Sequence, residues 1–126
     1  MGMIQVAQRA EDLDRAARFY ADLLGAGPVA TYDPPGLVFF DLEGTRLLID
    51  RLAPSALHYY AVDDIDATVA RLRAAGVEIE TEPHVIFAHD EDTLGPAGTD
   101  EWMAFVRDSE GNTVGLVEQR ARPSSP

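Results

Sequence analysis

The chain has 126 residues, 46% of them apolar, no cysteine and a formal net charge of −12, which predicts one domain with a hydrophobic core and excludes disulfides, thiolate metal sites and cysteine nucleophiles. All ten basic residues are Arg, so lysine Schiff bases and phosphate-loop lysines are excluded, and 22 Asp and Glu predict a surface that repels nucleic acid. No apolar run could span a bilayer and the first residues lack the apolar stretch of a signal peptide, so a cytoplasmic protein with no membrane partner is expected.

Residues 3–8 read as a strand. Asp12 caps a helix in which Leu13, Ala16, Ala17, Tyr20 and Leu23 or Leu24 recur at helical spacing, and Gly25 stands at its stop. An extended piece over 28–32 leads into Asp33-Pro34-Pro35-Gly36, a turn by its chemistry. Leu37–Leu42 is a strand, and Glu43-Gly44 turns the chain into another over Thr45–Asp50. After a linker over 51–56 the order begins again with a strand over Leu57–Val62. Asp64 caps a second helix with Ile65, Val69, Leu72 and Ala75 on one side, and Gly76 ends it. Val77–Ile79 is extended, Pro83 interrupts before His84–Ala88, and 89–101 reads as a polar solvated loop. Strands over Trp102–Arg107 and Thr113–Glu118 flank a turn at Asp108–Asn112, and the tail over 120–126 is expected to be disordered.

The two halves follow one pattern. Asp12 and Asp64 are 52 residues apart, as are Leu13 and Ile65, and Asp14 and Asp66. The expectation is an α+β chain of two pseudo-symmetric modules, about 3–50 and 57–118, within one domain over 1–126. Their small sheets would face each other across a concave ligand surface.

Four segments carry a family resemblance: Gln5-Val-Ala-Gln-Arg-Ala-Glu-Asp12-Leu, Phe19-Tyr20-Ala-Asp-Leu-Leu24-Gly25, Val62-Asp63-Asp64-Ile65-Asp66, and Phe105-Val-Arg-Asp108-Ser-Glu-Gly111-Asn112. With them the chain resembles the vicinal oxygen chelate superfamily, which includes glyoxalase I, extradiol dioxygenases, fosfomycin-resistance enzymes and bleomycin-resistance proteins. Ser109 stands where the family's turn usually has Pro. The resemblance implies two βαβββ modules forming curved sheets around a central cleft, and twofold pairing into a homodimer. It also implies four metal-ligand positions, which here are Gln5, Leu48, Leu57 and Gly115. Only Gln5 carries a donor, so neither metal nor another cofactor is expected there.

Side chains alternate across a strand, which places Gln5, Ala7 and Arg9 on one face and Leu57, Tyr59 and Ala61 on the corresponding face of the second module. The same alternation sends His58 and Glu118 to the helix-covered side, and a one-residue slip would reverse both. Candidate ligand-binding residues are Gln5, Arg9, Arg46, Leu48, Leu57, Tyr59, Trp102 and Gly115, an apolar floor with aromatic and polar handles suited to a small organic ligand. Two functions follow. One is a binding protein of the bleomycin-resistance kind. The other is a lyase, isomerase or dioxygenase relative, which requires a divalent metal at an unconventional site made of Gln5, Asp50 and His84, or metal-free acid–base chemistry by His84 with a carboxylate.

Overall fold

A computed structural model describes residues 3–123 as ten elements in two βαβββ runs: β1 (Gln5–Arg9), α1 (Leu13–Leu24), β2 (Ala30–Tyr32), β3 (Leu37–Asp41) and β4 (Arg46–Asp50), then β5 (His58–Ala61), α2 (Ile65–Ala74), β6 (Ile79–His89), β7 (Thr99–Arg107) and β8 (Thr113–Ala121). The fold is α+β, with two four-stranded mixed sheets in the orders β1-β4-β3-β2 and β5-β8-β7-β6. In each, the first strand pairs in parallel with the last and the other pairings are antiparallel. The chain divides into two compact units, Met1–Leu57 with Asp108–Asn112, and His58–Arg107 with Thr113–Pro126. Among the described residues, no helix is long and apolar enough to cross a membrane.

In the first unit α1 packs on β3 and β4. Its apolar stripe of Leu13, Ala16 and Tyr20 is buried against a core that includes Val38, Phe40, Leu47 and Ile49. Asp12 is the N-cap, accepting from the Arg15 backbone N–H at 3.0 Å, and Gly25 closes the helix at φ 74°, where a glycine bears no Cβ penalty. A second acid reinforces this start. Glu110 Oε1 accepts from the backbone N–H groups of Glu11 and Asp12, each at 2.9 Å, and its Oε2 accepts from Arg15 Nε at 2.6 Å. The Arg15 guanidinium, with backbone help, holds the Glu110 carboxyl down at about 2, although burial pushes the other way. The Tyr20 hydroxyl donates to Asp108 Oδ2 at 2.6 Å and accepts from the buried Gln8 Nε2 at 3.4 Å, so these three buried polar side chains satisfy one another.

In the second unit α2 packs on β6, β7 and β8. Ile65, Val69 and Leu72 are buried with Ala104, Val106, Val114 and Leu116 in a core without a tyrosine. Asp64 caps α2 by accepting from the Ala67 N–H at 3.0 Å, and Glu118 accepts from the Ile65 N–H at 2.8 Å. Arg120 pairs with both Glu118 and Asp66. Its guanidinium keeps the Glu118 carboxyl below the ordinary carboxylate range, against the opposing effect of burial.

Three expectations about strand extent are corrected here. The extended pieces on either side of Pro83 are one strand, β6, which absorbs the proline with register shifts between Thr81 and His84 and at two neighbouring points. Bulges of this kind free a strand residue from donating to the ladder, which a proline cannot do. The loop expected over 89–101 contracts, because β6 runs through His89 and β7 begins at Thr99. Arg120 and Ala121, expected in a disordered tail, belong to β8, where Arg120 is held by its two carboxylates; residues 124–126 lie outside the described residues.

Candidate functional site

Each sheet has one face covered by its helix and one free of it. In the first unit the register pairs Gln5 with Arg46, Ala7 with Leu48, Arg9 with Asp50, Phe39 with Leu48, and Leu37 with Asp50. Cross-strand partners share a face, so Gln5, Arg9, Arg46, Leu48 and Asp50 stand with Leu37 and Phe39 on the face opposite Leu47 and Ile49, which are buried with the helix. Arg46 Nε donates to Gln5 Oε1 at 2.6 Å, and the Arg46 guanidinium lies 5.9 Å from the centre of the Phe39 ring. Phe39 in turn meets Tyr32 edge to face at 6.0 Å. Phe39 and Tyr32 were absent from the sequence-derived candidates. Alternation within Leu37-Val38-Phe39 was the available signal, but it needed the β3–β4 register to say which alternate faced Arg46.

In the second unit Tyr59 pairs with Gly115, and Gly115 with Phe105, while Val117 pairs with Ala61 and Met103. A Cβ at position 115 would lie 2.6 Å from Tyr59 Cδ1, so the tyrosine ring occupies the space that a side chain there would need. Tyr59 meets Phe105 edge to face at 6.0 Å. Leu57, the residue before β5 and part of the first unit, is exposed. His58 pairs with buried Val114, and Glu118 reaches the α2 N-terminus, which puts both on the helix-covered face.

Trp102 is a correction to the candidate set. It pairs with Glu118 and alternates with buried Ala104 and Val106, so it lies on the helix-covered face, away from Tyr59, Phe105 and Gly115. There it carries the Arg120 guanidinium 4.3 Å above its ring. The unconventional metal set is corrected as well. Gln5 and Asp50 stand four residues apart along paired parallel strands, about 13 Å at the usual strand rise, too far to share one ion. His84, opposite Met103, is exposed with Nδ1 2.9 Å from the Glu82 carbonyl oxygen.

The family's metal positions can be judged from the same contacts. Leu48, Leu57 and Gly115 carry no donor, and the Gln5 oxygen is engaged by a cation, Arg46. Among the described residues no group of three or more His, Asp or Glu is placed to hold a metal ion. This donor set does not fit a divalent cation, which needs several oxygen or nitrogen ligands to replace its water.

A different polar group lies at one end of the second unit's helix-free face. His89, 2% exposed, places Nε2 3.0 Å from Glu101 Oε1, and Gln119 Nε2 reaches the same oxygen at 3.4 Å. Glu101 pairs with Gln119 across β7 and β8 and shares the face of Met103 and Phe105. Phe87 meets the His89 ring edge to face at 5.0 Å. Gly95 passes so close that a Cβ there would lie 2.7 Å from Gln119 Nε2 and 2.9 Å from His89 Nε2. Sequence reading missed this cluster because a run of acids with Gly95 and Gly98 has the composition of a solvated loop.

These modules define a paired βαβββ protein, and the sequence agrees. The chain belongs to the Glyoxalase/Bleomycin resistance protein/Dioxygenase superfamily, whose profile matches residues 2–116. It is 30% identical to a glyoxylase-like domain-containing protein of Didymella fabae, over 82% of this chain and 83% of that one. Among solved structures it is similar to lactoylglutathione lyase from Agrobacterium tumefaciens, with 27% identity, a TM-score of 0.67, and 93% and 92% of the two chains covered. It is also similar to the trypanothione-dependent glyoxalase I of Leishmania major, with 26% identity, a TM-score of 0.66, and 94% and 86% covered.

Proposed function

We propose that this chain is a metal-independent member of its superfamily that binds a small organic molecule on the helix-free face of its sheets, in the cytoplasm. The observation that carries the reading is the replacement of the donor set: Arg46 holds Gln5, and the Tyr59 ring covers Gly115. In the first unit the apolar and aromatic surface of Leu37, Phe39 and Leu48, with Arg46 and Gln5 as polar handles, suits such a ligand. Added Zn²⁺, Ni²⁺, Fe²⁺ or Mn²⁺ is expected to leave the melting temperature of the untagged protein unchanged, because an ion bound to the native state would raise it by mass action. A one-to-one metal with a clear upward shift would overturn the proposal. A homodimer is part of the same reading. Val85, Ile86 and Phe87 on the edge strand β6 are 46%, 47% and 51% exposed, the kind of edge that proteins cover. Sedimentation as a 13.7 kDa monomer at micromolar concentration would rule the dimer out.

A second reading is a metal-free lyase or isomerase, favoured by the His89–Glu101 pair on the helix-free face of the second unit. A carboxylate oriented by a buried histidine has the form of a general base. Turnover of lactoylglutathione, the compound in the Agrobacterium neighbour's name, abolished by Glu101→Gln without a change in melting temperature, would establish it over simple binding.

A further inference from the structure

Among the described residues, the guanidinium of Arg46 is held without a carboxylate. Arg15, Arg73, Arg107, Arg120 and Arg122 each pair with one or more carboxylates. Arg46 makes no ion pair among the described residues: its fixed partners are the neutral Gln5 amide oxygen and the Phe39 ring. Its cross-strand neighbour Asp41 turns its carboxylate onto its own turn, where Oδ1 accepts from the Glu43 N–H at 3.1 Å. The bond to Gln5 uses Nε and sets the plane of the guanidinium, leaving the two terminal nitrogens with no acceptor among the described residues. That edge carries parallel N–H groups matched to a carboxylate, sulfonate or phosphonate. Neutral partners leave the positive charge undiminished. The adjoining Phe39 and Tyr32 rings offer apolar surface beside it, and Tyr32 is 54% exposed.

We infer that Arg46, aimed by Gln5 and flanked by Phe39 and Tyr32, anchors the anionic group of an aromatic ligand. The inference rests on the ligand-binding reading above and names the ligand class: a ring bearing a carboxylate or a like oxyanion. Gln5 is a positioning residue that acts through Arg46. The −12 charge of the chain opposes anions at long range, so selectivity here comes from the local fork and is strongest at moderate salt, where distant charges are screened.

The test uses two fluorescent probes with the same rings, anilinonaphthalene sulfonate and its sulfonate-free parent, phenylnaphthylamine. Each is titrated into the full chain, into Arg46→Gln and into Arg46→Lys. Wild type is expected to bind the sulfonate roughly tenfold more tightly than the neutral probe, the effect of one charge-assisted hydrogen bond. Arg46→Gln should erase that preference. Arg46→Lys, with charge but no planar fork, should retain part of it. Because Arg46 is exposed, the variants are expected to melt with wild type; if the glutamine variant does not, the lysine variant alone decides by the same ratio. If the neutral probe binds and the sulfonate is not preferred, or the preference survives in Arg46→Gln, the anion site is wrong while the ligand-binding reading stands. If neither probe binds saturably, the ligand-binding reading falls and the anion site falls with it.

Discussion

The two units place different side chains on equivalent backbone. Ala7 lies beside Leu48 in the first, and Tyr59 beside Gly115 in the second, so the large residue has moved from the last strand of the module to the first. Gln5 and Arg9 of β1 correspond, 52 residues on, to Leu57 and Ala61, so the polar handles of one face have no counterparts on the other. On the covered side the exchange is reversed. Tyr20 of α1 corresponds to Leu72 of α2, so the first helix buries a hydrogen-bonded tyrosine where the second buries a leucine. Backbone pairing tolerates these exchanges because the ladder uses main-chain groups, while packing asks only that neighbouring volumes complement each other.

The largest test of the comparison is Tyr20→Leu, which makes α1 like α2. It removes the hydroxyl from buried Gln8 and Asp108 and leaves unfilled ring volume, so a loss of about 3 kcal/mol is expected in chemical denaturation. A loss well under half of that would mean that the two cores are interchangeable. Next is Glu110→Ala, which strips two backbone donors and Arg15 of their shared acceptor and should cost about 2 kcal/mol near neutral pH. The Glu110 carboxyl titrates at about 2 in the folded chain, below its ordinary value of 4.5. Its contribution is therefore complete above pH 4.5 and fades as the pH falls toward 2. Glu110→Gln should flatten the stability–pH curve across that acid range, and an unchanged slope would remove Glu110 as the source.

The swapped volumes give a smaller effect. Gly115→Leu alone should destabilise by about 1–2 kcal/mol, since even its Cβ meets the Tyr59 ring, and adding Tyr59→Ala should recover most of the loss by recreating the Ala7–Leu48 arrangement. Strict additivity of the two substitutions would contradict the exchange. The smallest effects belong to the caps. Asp12→Ala and Asp64→Ala should each cost about 1 kcal/mol without altering probe binding. A loss of binding at unchanged stability would assign these acids to the ligand site.

Local chemistry made much of this legible. The helix caps at Asp12 and Asp64, the stop at Gly25 and the turn at Asp108–Asn112 depend on residues near in sequence, and the structure shows each in that role. The candidate site was legible only in part. Arg46 and Gln5 were recognisable as polar residues on alternating strands, but their 2.6 Å bond depends on the parallel register of β1 and β4, which pairs residues 41 positions apart. Trp102 went to the wrong face because alternation has two phases, and a strand's own residues do not choose between them.

The repeated pattern of apolar spacing, caps and turns was enough by itself to determine two similar halves, each a strand, a capped helix and further strands, because helices and strands answer to periods of three to four and of two residues in the local chain. The length of β6, the burial of His89 against Glu101 and the neutral cradle around Arg46 were decided by tertiary structure alone. Each depends on which distant strand supplies the neighbouring side chain. For His89 that neighbour turns a residue with the composition of a solvated loop into a buried, hydrogen-bonded one, because a polar group leaves water only where a partner waits for it.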